Sequence, residues 1–256
     1  MATSTLPAFT DHARVTRKDG QLKMAKRFPK RYVPGTRVSL LSDASKMPSL
    51  SFSLPAGESC PWAEYESDSD GSLAICAECY AQKGRYVMPG VANAQSVRFE
   101  WARRCMRTPE GTDEFVNVLT DAIRDARNLY FRGHDSGDFF SPAYVRAWIR
   151  ICRNLPQVHF WFPTRTWRAL LNPRVSAHTK QLWALALTEL ASLPNVALRP
   201  SALFFNAPAP RIPGFAAGTT ARDEGFNCPA ATQGNICGSC RVCFDNHDTE
   251  VSYHRH

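Results

Sequence analysis

The chain has 256 residues, of which 44% are hydrophobic and 21% charged, and its formal net charge is +8. This is the composition of an ordinary globular protein with room for one sizeable core. No run approaches the about eighteen apolar residues that span a bilayer, and the N-terminus lacks the charged-then-apolar pattern of a signal peptide. We therefore expect a cytoplasmic protein with no membrane partner.

The positive charge is concentrated near the N-terminus. Residues 1–37 hold nine Lys and Arg residues against two Asp residues, a net charge of +7, whereas the other 219 residues hold 22 basic and 21 acidic residues. Such a basic arm either follows a nucleic-acid backbone through counterion release or is a poorly ordered, solvated leader. We place the arm at residues 1–40 and a single folded domain at residues 41–256.

Strands and helices alternate along the predicted domain. Alternating or short buried apolar runs predict strands near residues 48–55, 128–134, 157–162 and 195–199. Amphipathic spacing predicts helices near residues 92–106, 113–127, 141–154 and 177–193. This alternation requires a parallel sheet with right-handed crossovers. Because so few strands cannot fill an eight-stranded barrel, we predict an α/β fold, a TIM-like partial or irregular barrel with parallel strands.

Nine cysteines are present, and seven of them fall into two groups. In a large chain without a secretion signal, such groups indicate metal or cluster binding rather than disulfides. The upstream group and the C-terminal group are Cys60, Cys76 and Cys79, and Cys228, Cys237, Cys240 and Cys243, respectively. Cys105 and Cys152 lie in predicted helices and are expected to be buried apolar groups. The two groups hold either one shared centre or two.

The C-terminal group lies in a cysteine-rich metal-binding segment, residues 223–245. Its four thiolates would complete a tetrahedral zinc site or hold a four-iron (4Fe-4S) cluster, and spacing alone does not separate these. The three upstream thiolates would leave one iron of a cluster with an open position. We therefore expect one or two clusters, with the upstream group reactive and the C-terminal group structural or auxiliary.

Polar residues follow the predicted strands at their carboxyl ends, which meet at one edge of a parallel sheet. His134 and Asp138 follow one strand, Arg165 the next, and Arg199 and Ser201 the last. We predict catalytic roles for His134, Asp138 and Arg165, and an anion clamp of the two arginines for phosphate or carboxylate. The alternatives are a core histidine, a helix-capping aspartate and arginines that pair with surface acids.

Several stretches, in the same order, resemble the phage- and plasmid-borne family called gene product eighty-eight. They are residues 45–57, 76–86, 132–141 and 161–165, together with the cysteine-rich segment. The resemblance covers about residues 45–256. It implies a protein of the host cytoplasm and carries no settled activity.

A looser similarity concerns Cys76-Ala-Glu-Cys79-Tyr-Ala81, which looks like the end of the cluster motif of radical S-adenosylmethionine enzymes. Fifteen residues separate Cys60 from Cys76, a longer spacing than that motif has. The similarity implies S-adenosylmethionine on the open iron. Its amino group would be held by Ser136, Gly137 and Asp138, and its ribose and carboxylate by Arg165, Arg199 and Ser201.

Three functions follow from these patterns. The first is an iron–sulfur redox or radical enzyme acting on a nucleotide or nucleic-acid-type anionic substrate. The second is a non-catalytic nucleic-acid-binding protein stabilised by an iron–sulfur cluster or zinc. The third is zinc chemistry at the upstream thiolates, with His134 as partner.

Overall fold

The computed structural model describes residues 9–10, 14–16, 22–24, 30–43 and 47–255. Most of the predicted basic arm therefore lies outside the described residues. Within it, β1 (Arg14–Thr16) and β2 (Leu22–Met24) pair antiparallel. Val33 and Leu40 are buried in the main core. The folded body thus includes residues that precede position 41, and nucleic-acid contact by the arm remains a prediction.

The centre of the fold is a five-stranded sheet in which four strands are parallel. β3 (Ser42–Asp43) pairs antiparallel with β4 (Leu50–Ser51). The parallel strands β4, β5 (Tyr130–Arg132), β6 (His159–Thr164) and β7 (Val196–Pro200) then follow in chain order. This confirms a mixed α/β fold with a mostly parallel sheet. Among the described residues the sheet stays open, so the finer TIM-like description is not established.

Five helices connect these strands: α1 (Pro89–Cys105), α2 (Pro109–Ala126), α3 (Pro142–Asn154), α4 (Arg168–Leu171) and α5 (Ala177–Ala191). The Ser141–Pro142 start predicted for α3 is present, because the Ser141 hydroxyl accepts the backbone N–H of Tyr144. Phe131, Phe160 and Phe162 of the sheet join the same core as α2, α3 and α5. No helix in the described part of the chain is both long and apolar enough to cross a membrane.

The chain after β7 covers the other face of the sheet. β8 (Thr219–Arg222) and β9 (Val251–His254) are parallel, and a bridge between Ser201 and Thr219 joins them to the end of β7. The connection between them contains the short helix α6 (Val242–Asp245). Trp161 points away from Phe160 and Phe162 and packs against Phe244 of α6. The cysteine-rich segment therefore lies against the face opposite α2, α3 and α5.

Candidate functional site

The loop after β4 brings Cys60 to the carboxyl edge of the sheet, called the rim below. Leu54 continues the pairing of β4, since its N–H donates to the carbonyl oxygen of Ser136 at 2.9 Å. In the turn that follows, the carbonyl oxygen of Gly57 accepts the N–H of Cys60 at 3.2 Å. Cys60 is thus held beside the loop that follows β5, as the strand-end position in the sequence predicted.

Cys76 and Cys79 reach the same rim from a different direction. Residues 73–75 pair with the chain beyond β7: the N–H of Ile75 donates to Leu203 at 2.8 Å, and that of Phe205 to Leu73 at 3.0 Å. A turn follows, in which the N–H of Cys79 donates to the carbonyl of Cys76 at 3.3 Å. Contacts distant in sequence therefore place these two cysteines.

Cys76 and Cys79 lie close enough to Cys60 to affect its pKa. Burial raises the pKa of Cys60 to about 12, and negative charge on Asp138, Cys76 and Cys79 adds to this. Burial also raises the pKa of Cys79, whereas the nearby cation of Arg165 opposes that rise. At neutral pH the Cys60 thiol therefore keeps its proton, so it is not poised as a free nucleophile. A bound cation would offset the negative charge that three thiolates bring to the rim.

Asp138 links the loop after β5 to the end of β6 at the rim. Its carboxylate accepts the Thr164 hydroxyl at 2.6 Å and the N–H groups of Arg165 and Phe139 at 2.8 and 2.7 Å. Burial raises the pKa of this carboxyl group, and these hydrogen bonds oppose the rise. The side chain of Arg165 is half-buried and donates from Nε to the carbonyl of Ala202 at 3.1 Å. Asp138, Arg165 and the rim cysteines therefore share one neighbourhood.

Ser136 and Gly137 contact the loop that follows β4. The Ser136 hydroxyl donates to the carbonyl of Leu54 at 2.7 Å. Gly137 has a φ of +87°, and a Cβ there would lie 2.6 Å from Leu54 Cβ and 2.5 Å from Ser59 Oγ. Both residues thus pack the β5 loop against the segment that carries Cys60. This is a packing role, different from the cofactor contact that the radical-enzyme similarity implies.

His134 lies in the core on the helix side of the sheet. It is 1% exposed, its Nε2 is 3.0 Å from the Tyr144 hydroxyl, and its ring packs on Phe139, Trp148 and Phe162. Burial first, and Arg132 second, lower its pKa to about 3. A neutral ring enclosed by aromatic side chains is the core histidine of the alternative interpretation, not a rim acid or base.

Arg199 does not complete the predicted anion clamp, and Ser201 is engaged by the chain beyond β7. The Arg199 guanidinium is buried and donates to backbone carbonyls of the chain beyond β7, at Ala217, Val242, Cys243, Asn246 and Thr249. The Ser201 hydroxyl is 3.0 Å from that of Thr219. Arg199 points to the face covered by the cysteine-rich segment, so Arg165 is the arginine that the structure leaves at the rim.

The four C-terminal cysteines, called the tail cysteines, form a second group. The N–H of Cys228 donates to Ser252 on β9 at 2.9 Å, and Cys243 Sγ lies 3.3 Å from the Tyr253 hydroxyl. Burial raises the pKa of Cys243 to about 12; the hydrogen bond from Tyr253 opposes this, and Cys237 and Cys228 add to it. Cys228, Cys237 and Cys243 therefore lie near one another.

Metal binding by the two cysteine groups stays a prediction. Among the described residues, no three His, Cys, Asp or Glu side chains are arranged to hold one metal ion. Around zinc, at 2.3 Å from each sulfur, thiolates would stand about 3.8 Å apart. In a four-iron cluster each thiolate binds a different iron, so the sulfurs stand farther apart. Three thiols at the rim and four in the tail supply the ligand type that such a cluster needs.

A buried polar network that was not predicted from the sequence lies beside the rim. The Asp135 carboxylate accepts the hydroxyl groups of Ser51, at 2.8 Å, Ser53 and Tyr86. The Tyr80 hydroxyl donates to the Asp135 carbonyl. The signal in the sequence was the serines at alternate positions 49, 51 and 53, which indicate a polar face of β4.

Comparison with known proteins identifies relatives of the chain. The family model of gene product 88 matches residues 14–203. The Gene 88 protein of Mycobacterium phage L5 is 35% identical over 152 residues, which cover 57% of this chain and 58% of that protein. The Gene 88 protein of Mycobacterium phage D29 is 29% identical over 214 residues, which cover 76% of this chain and 82% of that protein. No solved structure matches the chain. The family match begins upstream of residue 45 and ends before the cysteine-rich segment.

Proposed function

The chain belongs to the gene product 88 family, and we propose that it is an iron–sulfur protein with a redox-active site at the rim. The observation that supports this is the meeting of Cys60, Cys76 and Cys79 beside Asp138 and Arg165. Three thiolates bind three irons of a four-iron cluster and leave the fourth open to a ligand. When bound, such a cluster supplies single electrons to that ligand.

Arg165 gives the proposed site its preference for anions. Its backbone N–H is fixed by Asp138 and its Nε by Ala202, so the guanidinium is held at the rim. A guanidinium binds phosphate or carboxylate through paired hydrogen bonds. The proposed substrate is therefore an anion of the nucleotide or nucleic-acid type, and S-adenosylmethionine is the candidate cofactor for the open iron.

The tail cysteines would hold a second, auxiliary centre. Arg199 and the contact between Trp161 and Phe244 place this segment against the sheet. Four thiolates leave no open position, so this centre would be structural or would relay electrons. Zinc is the alternative metal here, and metal analysis separates the two.

Anaerobic purification and reconstitution with iron and sulfide test the proposal. We expect iron, acid-labile sulfide and an electron paramagnetic resonance signal after reduction. The variant C76A/C79A should lose about four iron atoms per chain, C237A/C240A the remainder, and C105A none, because Cys105 is a core residue. The rim signal should change on titration with S-adenosylmethionine.

Three results would refute parts of this proposal separately. Equal iron content in the C76A/C79A variant and in C105A would remove the rim cluster. A rim signal that ignores S-adenosylmethionine would remove the cofactor but leave the cluster in place. Zinc bound only at the tail cysteines would leave a metal-stabilised protein without the redox site.

A second candidate function is nucleic-acid binding through the basic arm. The concentration of charge in residues 1–37 favours it. Neutralising substitutions suit this test better than truncation, because Phe9 packs on the core and Thr10 pairs with Asn128. Replacing Lys18, Lys23, Lys26 and Arg27 by glutamine should weaken binding to a labelled oligonucleotide and flatten its salt dependence; unchanged affinity would exclude the arm as the binding element.

A further inference from the structure

Arginines gather on one side of the folded body, where α1 ends, α2 begins and α3 exposes its outer face. Six exposed arginines lie on these elements: Arg103, Arg104, Arg107, Arg146, Arg150 and Arg153. Those on α3 follow a spacing of four and three residues, which places them along one face of the helix. This arginine surface is separate in sequence from the basic arm and from both cysteine groups.

A shallow hollow of about 390 Å³ lies at the centre of this surface. Arg107, Arg146 and Arg150 line it, together with the hydroxyl-bearing residues Thr108 and Thr112. The hollow is open to solvent along α3. The Thr112 hydroxyl already donates to the carbonyl oxygens of Cys105 and Thr108, so the guanidinium groups are the main donors for phosphate oxygens.

The cations of the hollow are only partly neutralised by the protein. Arg150 donates to Asp113 at 2.7 Å, which holds its guanidinium in place. Farther along α3, Arg153 pairs with Glu189 at 2.9 Å. Within the described part of the chain, Arg107 and Arg146 have no carboxylate within ion-pair distance. Two uncompensated guanidinium groups at one hollow repel each other, and a bound anion would relieve that repulsion.

We propose that this arginine surface binds the phosphate backbone of a nucleic-acid strand. The shape favours a polymer, because the hollow is open and continues into the arginines of α3. From Arg146 to Arg153 the helix rises about 10 Å, at 1.5 Å per residue, so its arginines form a row long enough to contact more than one phosphate of a strand. Among the described residues, none of those lining the hollow is aromatic. The contact is therefore to the backbone and independent of base sequence.

The inference goes beyond the proposed redox function and requires no metal at either cysteine group. Its test is fluorescence anisotropy with the full chain and a labelled 20-nucleotide strand, at several salt concentrations. The test variant is R107Q/R146Q. The control is R174Q/R211Q, which removes two exposed arginines elsewhere and so changes the net charge equally.

We expect the R107Q/R146Q variant to bind roughly tenfold more weakly near physiological salt, with the slope of log affinity against log salt reduced by about 1.4, since each phosphate contact of a single strand contributes about 0.7. The control variant should keep the slope of the unaltered protein, and a scrambled oligonucleotide should bind equally well. Circular dichroism and thermal unfolding verify that both variants are folded; exposed substitutions of this kind change stability little.

Three outcomes would overturn the inference. Equal effects of the two double variants would show a general response to net charge. An unchanged salt slope in R107Q/R146Q would show that these arginines contact no phosphate. Saturable binding of inorganic pyrophosphate that the test variant loses, with no binding of the oligonucleotide, would assign the hollow to a small phosphorylated molecule.

Discussion

The Nε of Arg199 donates a hydrogen bond of 3.0 Å to the carbonyl oxygen of Cys243, and this contact ties the cysteine-rich segment to the central sheet. The same guanidinium donates to Val242 and Thr249, each at 2.9 Å. Burial lowers the pKa of Arg199, and the carbonyl oxygens around it supply the partners that a buried cation requires. One residue of β7 thus organises the segment that carries the tail cysteines.

Replacing Arg199 by methionine should therefore destabilise the protein by about 3–5 kcal/mol, because several buried carbonyl groups lose their donor. Urea unfolding measures this, and R211M, at an exposed arginine, is the control. Hydrogen exchange should increase most in residues 223–250. A loss below about 0.5 kcal/mol would show that the carbonyl groups find other donors.

The hydroxyl of Tyr253 should tune any metal held by the tail cysteines. It lies 3.3 Å from Cys243 Sγ and stabilises the thiolate. Hydrogen bonds to ligating sulfur atoms orient the ligand, and their loss weakens metal retention by about tenfold or more. Y253F should accordingly release its metal to a chelator sooner than the unaltered protein does. If iron is bound, the reduction potential of the tail centre should also become more negative.

The control for this prediction is Y32F, which alters an exposed tyrosine. Because Y253F keeps the ring, its packing on Trp161 is retained, and a folding defect is not expected. Identical chelation rates for Y253F and Y32F would contradict the prediction. The result does not depend on whether the metal is zinc or iron.

Gly137 and Gly214 provide a matched pair for the loop that supports Cys60. Both have a left-handed backbone, with φ of +87° and +82°, but a Cβ at Gly214 meets nothing within 4 Å. A Cβ at Gly137 would collide with Leu54 and Ser59. G214A should cost about 1 kcal/mol from backbone strain alone, and G137A about 2–4 kcal/mol. Thermal unfolding measures both; equal losses would show that the β4 loop moves aside easily.

The alternating sheet and the start of α3 were predictable because they depend on local signals, namely apolar periodicity and the Ser141–Pro142 cap. The meeting of Cys60 with Asp138 followed from the rule that parallel strands end at one edge. The roles of His134 and Arg199 were not predictable in this way. Which face of the sheet a side chain occupies depends on register, and the carbonyl partners of Arg199 lie up to 50 residues away in sequence.

His134 should make folding stability depend on pH. Its pKa is lowered from 6.5 to about 3 in the folded protein, because burial among aromatic rings disfavours the charged form. In the unfolded chain the ring takes up a proton near pH 6.5. The contribution of the neutral His134 ring to the free energy of unfolding is therefore fully present above about pH 6.5. It is lost as the pH falls toward 3, by up to about 1.4 kcal/mol per pH unit from this residue.

The measurement is the urea unfolding free energy at several values between pH 7.5 and 4.5. Carboxyl groups also titrate in this range, so the quantity of interest is the difference between the unaltered protein and H134F, which keeps an aromatic ring at this position. That difference should shrink and reverse as the pH falls, because H134F loses the contact with the Tyr144 hydroxyl but gains no buried charge. H178Q, at an exposed histidine, should follow the unaltered protein throughout. Parallel curves of unfolding free energy against pH for H134F and the unaltered protein would mean that His134 has the same pKa in the folded and unfolded states. The core environment assigned to His134 would then be wrong.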